Sequence, residues 1–184
     1  MIGLRHRAGT AARIRPRSIA GALGVTLSVL LAAAAPASAQ VPAPAQHFGF
    51  TPGEHRQLAD WSQLTAYYEA LAAASPRVRV DTIGRTGLGA PFVMVTVTSP
   101  QNMARLGEIR DVQLRLADPR RIGGEAELER LKERARSVVL ITHGIHATEV
   151  GSSQSAANLL HRLASADDER TRAILDNVVL LDIP

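Results

Sequence analysis

The sequence predicts an α/β fold: a mixed, mostly parallel sheet with flanking helices, present in incomplete form. Three observations lead there. The apolar run VVLIT (138–142) and the closing run NVVLLDIP (177–184) bracket residues of helical character, as in a parallel crossover. Upstream, RVRVDTIG and PFVMVTVTS flank the turn RTGLGA, which reads as a hairpin. The chain then stops at Pro184, directly after a core strand with no covering helix, so the sheet is expected to be cut short.

Residues 1–39 read as a secretory signal peptide. They hold Arg5, Arg7, Arg13, Arg15 and Arg17, no acidic residue, and the apolar stretch IAGALGVTLSVLLAAAAPASA ending in Ala37-Ser38-Ala39. A basic start, an apolar centre and a small-residue cleavage pattern are the parts of an export signal. Cleavage is expected after Ala39, giving a periplasmic or extracellular product with no membrane attachment. Five of the 21 Lys+Arg leave with that leader, so the remainder balances 16 basic against 17 acidic residues. The basic overall charge therefore belongs to the leader and gives no reason to expect nucleic-acid binding. There are no cysteines, which excludes disulfides and thiolate metal sites.

QVPAPAQ (40–46) is expected to be a disordered spacer, and residues 47–184 to form the folded part. HFGFTPGEHRQL reads as a loop turning at Pro52-Gly53. Asp60 is placed to cap the helix WSQLTAYYEALAAAS, whose Trp61, Leu64, Tyr67, Tyr68 and Leu71 recur at helical spacing as a core stripe. Pro76 closes that helix. Strands follow at 77–84, with Val78, Val80 and Thr82 on one face, and at 91–98. Gly87 and Gly89 match no phosphate-loop pattern and are read as turn residues. Residues 101–117 read as helix, broken by Asp118-Pro119-Arg120. GGEAELERLKERAR reads as a charged helix with Glu127–Arg130 and Glu133–Arg136 pairs on a solvated face. VVLIT is expected to be a buried strand, 137–142. A helix then runs from Thr148 or Glu149 to about Ser165, and another, capped by Asp167 or Asp168, leads into the strand 177–182.

The chemistry gathers just past VVLIT, in THGIHATEVGSS. Open α/β sheets place ligands beyond the carboxyl ends of their strands. His146 and Glu149 bring one imidazole and one carboxylate within a turn of chain, both suited to Zn²⁺. The tetrapeptide alone leaves a metal site, an oxyanion-type loop and an ordinary strand-to-helix turn open.

GIHATE resembles the zinc motif of the carboxypeptidase A-like zinc metallocarboxypeptidases, and its surroundings resemble that family segment by segment. WSQLTAYYEALAAASPRVRVDTIGRTGLGAPFVMVTVTS is similar to the family's opening helix and hairpin, VVLITHGIHATEVGSSQSAANLL to its strand, ligand loop and helix, and ILDNVVLLDIP to the strand after them. HFGFTPGE, Asn102 and Asp118-Pro119-Arg120 resemble a large exported bacterial branch. One departure is Ala90 after Gly89, where the family usually has Gly-Arg. The resemblance implies that residues 47–184 are the N-terminal portion of a catalytic domain. It implies His146 and Glu149 as metal ligands, Zn²⁺ as cofactor, and peptide or protein C-termini as substrates. The third ligand, the general base and the substrate-binding arginines are implied to lie past Pro184, so the chain by itself is expected to bind zinc weakly. His161 sits in mid-helix and reads as a surface or packing residue. His143 could orient a ligand, but is taken as a plain strand-end histidine. An α/β-hydrolase would need a G-x-S-x-G elbow, and Gly151-Ser152-Ser153-Gln154-Ser155 lacks its second glycine. A catalytically silent exported binding module is the alternative from a different class.

Overall fold

The computed structural model describes residues 40–184; the leader and its cleavage pattern lie outside the described residues. Asp60 caps the first long helix as expected. Its Oδ1 accepts from the Gln63 amide at 2.8 Å, and the Gln63 side chain accepts from the Asp60 amide at 3.0 Å, closing a reciprocal box. The helix runs Trp61–Ala74 and buries Leu64, Tyr67, Tyr68 and Leu71.

The segment expected to be a disordered spacer is ordered in its second half. Pro44–Phe48 forms a helical turn, α1, preceding the long helix, α2. Phe48 enters the core, Val41 packs against it, and the Tyr67 hydroxyl donates to the Pro42 carbonyl at 3.0 Å. Proline suits the first helical position, where its missing N–H costs nothing. Composition suggested disorder; the apolar anchors on either side of the Pro/Ala run prevail.

Four strands form one mixed sheet in the order β1-β2-β4-β3: Val78–Arg85 (β1), Pro91–Val97 (β2), Ser137–Thr142 (β3) and Val178–Ile183 (β4). β1 and β2 make the expected antiparallel hairpin. β4 lies between β2, antiparallel, and β3, parallel. Among these strands the β3–β4 pair is the parallel one, so the hairpin weighs the sheet further towards antiparallel than the sequence suggested. Val78 is buried, but Thr82 is exposed, and β1 bulges just beyond it, between Thr82 and Gly84.

Helices α2 and α6 (Val150–Ser165) cover one face, meeting Val93, Val95, Val97 and Leu180 in the core. The expected helix 101–117 is two pieces, Pro100–Met103 (α3) and Leu106–Leu116 (α4), followed by a 3-10 turn at Pro119–Arg121. The charged helix is Glu125–Arg134 (α5). Glu129 pairs within the helix with Lys132 at 2.6 Å, but the residues expected to pair along it reach other elements: Glu127 pairs with Arg115, and Arg136, just past the helix, donates to Asn102 Oδ1 at 3.2 Å; Arg134 likewise pairs with Glu108 at 2.8 Å. Asn102 is buried because it caps a helix end. Its Nδ2 donates to the Leu175 and Asp176 carbonyls at 3.1 and 3.0 Å, satisfying acceptors at the close of Glu169–Asn177 (α7).

β3 corrects the expectation of a buried strand. Val138, Val139 and Leu140 are 46%, 42% and 59% exposed. The run has the composition of a strand covered on both faces, yet among the described residues it hydrogen-bonds to a neighbour on one side only, β4.

Candidate metal centre

β3 ends at Thr142, and the ladder continues one step further, His143 N–H donating to the Ile183 carbonyl at 2.9 Å. Gly144 then turns with φ 60°, in the left-handed region. A Cβ there would lie 2.9 Å from Ser153 Oγ, and the Gly144 amide donates to Ser152 Oγ at 2.9 Å. The loop is thereby turned back over the start of α6, with Glu149 at the N-cap position.

The turn brings the two predicted ligands together. His146 Nδ1 and Glu149 Oε1 are 2.8 Å apart, and the His146 amide donates to Glu149 Oε2 at 3.2 Å. Both side chains face solvent. The hydrogen bond from the His146 ring, supported by that from its amide, holds the Glu149 carboxyl below the usual carboxylate range, so it is ionised at neutral pH. Two ligand atoms on one tetrahedral zinc, each at about 2 Å, lie about 3.3 Å apart. A nitrogen and a carboxylate oxygen already sharing a proton at 2.8 Å therefore fit the donor chemistry with a small opening of the pair. Among the described residues there is no group of three or more His, Cys, Asp and Glu placed to hold one ion.

Beside the pair lies a cavity of about 180 Å³, walled by Leu58, Trp61, Leu64 and Val150. Gln154 fixes its far side. The buried amide accepts from Ala59 N–H and donates to the Ala59 carbonyl, both at 3.0 Å, tying the approach to α2 onto α6. The Trp61 indole donates to the Pro91 carbonyl at 3.0 Å, joining the same wall to the hairpin. Sequence reasoning did not find Gln154. A glutamine on the inner face of a small-residue helix was the available signal.

His143 is more than a plain strand-end residue. Its Nε2 lies 3.0 Å from Asp182 Oδ2, and Asp182 is fully buried. Among the described residues, Asp182 Oδ1 has no hydrogen-bond partner, nor does the buried Tyr68 hydroxyl. Burial raises the Asp182 carboxyl above its ordinary range, and the His143 bond acts against that rise. Burial, and then the Asp182 charge, raise the Tyr68 phenol. An acidic residue inside the apolar run NVVLLDIP was the sequence signal for this cluster, and it was read only as part of a strand. His161 is half-buried on α6, away from the pair, and lines a separate cleft with Arg77 and Asp167.

The Peptidase_M14 zinc carboxypeptidase model matches residues 64–184, more than half of the chain. The chain belongs to the zinc carboxypeptidase family. A search of curated proteins finds no match. Among solved structures, carboxypeptidase A from Helicoverpa armigera is similar at a TM-score of 0.48 and 13% identity, over 77% of this chain and 29% of that one. The chain thus spans less than a third of that structure's length.

Proposed function

We propose that this chain forms part of an exported zinc carboxypeptidase that removes C-terminal residues from peptides or proteins, with His146 and Glu149 holding the metal. The observation that supports it most is the convergence of His146 Nδ1 and Glu149 Oε1 at 2.8 Å, open to solvent, in a chain of this family. Zinc, when bound, would supply polarisation of the scissile carbonyl and activation of water. The chain's own residues do the remaining local work. Glu149 contributes an ionised carboxylate, Gly144 allows the turn that aims His146, and the Leu58–Trp61–Val150 wall offers an apolar surface beside the pair. Export rests on the leader, with the mature chain starting at Gln40.

The test is zinc titration of the chain, with C-terminal residue release measured on the full-length protein that contains it. His146→Ala and Glu149→Gln should each lower zinc affinity at least about 10-fold and abolish release. Zinc uptake without release, with both substitutions still lowering uptake, would indicate a binding module. Uptake unchanged by either substitution would remove the proposed ligands.

A further inference from the structure

We propose that Asp182 and His143 form a buried positioning pair that holds the loop bearing His146 and Glu149 in register, at a cost to the core. The inference rests on the metal-centre reading and adds two positioning residues to it.

Asp182 lies on the face of β4 that also sends Leu180 into the core, between strands β2 and β3, and no part of it reaches solvent. Among the described residues its side chain has one partner, leaving Oδ1 and the nearby Tyr68 hydroxyl unpaired. A buried charge pair with open valences is a poor way to stabilise a core, and well-packed apolar residues commonly serve as well or better. Stability therefore does not account for an aspartate here.

Its position does. His143 is held to β4 twice, by its amide on the Ile183 carbonyl and by its ring on Asp182. An ionised carboxylate can only accept, so pairing with Asp182 Oδ2 selects the ring form that keeps its N–H at Nε2 and donates it. The next residue, Gly144, makes the left-handed turn, and its amide is held by Ser152. Only Gly144 and Ile145 separate this double anchorage from His146. Slack at residue 143 would pass directly into the His146–Glu149 separation. Residues that orient metal ligands through hydrogen bonds commonly alter metal affinity 10- to 100-fold when lost.

The experiment compares wild type, Asp182→Leu and Asp182→Asn by three measurements: melting temperature, amide hydrogen exchange of residues 144–149, and affinity for zinc alone. Asp182→Leu should melt at or above the wild-type temperature, yet speed exchange in the loop about 10-fold and weaken zinc binding 10- to 100-fold. Asp182→Asn keeps an oxygen that can accept from His143 and should recover loop protection and zinc affinity to within about 3-fold of wild type. In the wild type, the His143 ring N–H should appear as a slowly exchanging downfield proton, absent in Asp182→Leu. Unchanged loop exchange in Asp182→Leu would overturn the proposal. So would a broad loss of stability in both variants, which would make Asp182 an ordinary structural residue. If wild type takes up no zinc, the metal reading fails, while loop exchange still decides whether the pair positions the loop.

Discussion

Asp60 shows how much a single side chain can set. Hydrogen bonds from the Ser62 hydroxyl and then the Gln63 amide lower its pKa. A lowered folded-state pKa contributes stability that is present above the unfolded value and is lost as pH falls through the folded one. Asp60→Ala should therefore lower the melting temperature by a few degrees at pH 7 and by much less near pH 2, as thermal denaturation at the two pH values would show. Gln154 acts in the opposite setting, buried and neutral. Gln154→Leu strands both backbone groups of Ala59 and should cost about 2 kcal/mol or more in urea denaturation, with the cavity wall beside His146 loosened. The cap was legible because an aspartate before a periodic apolar stripe has few other uses. His146 and Glu149 were legible as a pair for a similar reason, being polar, closely spaced and at a strand end. Gln154 and Asp182 were not, because their partners lie 95 and 39 residues away and no local pattern announces them.

At the scale of elements, the strands fell close to where hydrophobic periodicity put them, and the hairpin turn did so for its glycines. Exposure did not follow. β3 reads as buried on both faces, since period and composition report what a strand is built to contact and not what surrounds it. The α5 ion pairs fail for a related reason. Spacing nominates partners within a helix, whereas Arg115 and Glu108 of α4 compete from across the gap. An apolar strand edge without charge is a template for unwanted pairing. Leu140→Lys, at a position already 59% exposed, should reduce light scattering on warming while leaving the melting temperature within about 1 °C.

For the whole molecule, the proposed leader ends just before the first ordered contacts of the fold. Cleavage after Ala39 would leave the buried Phe48, and the Pro42 carbonyl that accepts from Tyr67, on the mature side. N-terminal sequencing of exported material should begin at Gln40 or within a few residues. Removing residues 40–48 should cost roughly 2 kcal/mol in urea denaturation, from the lost burial of Phe48 alone.

The strand order bears on how the chain comes to be folded at all. β4, made last of the four, occupies the slot between β2 and β3. On a ribosome adding 5–20 residues per second, β2 would wait roughly 4–16 s for its inner neighbour, with that edge unsatisfied throughout. Assembly of these four strands is thus deferred until β4 has been made. A chain that cannot close early keeps the edges of β2 and β3 waiting for the same strand, and each stays open to unwanted pairing in the meantime.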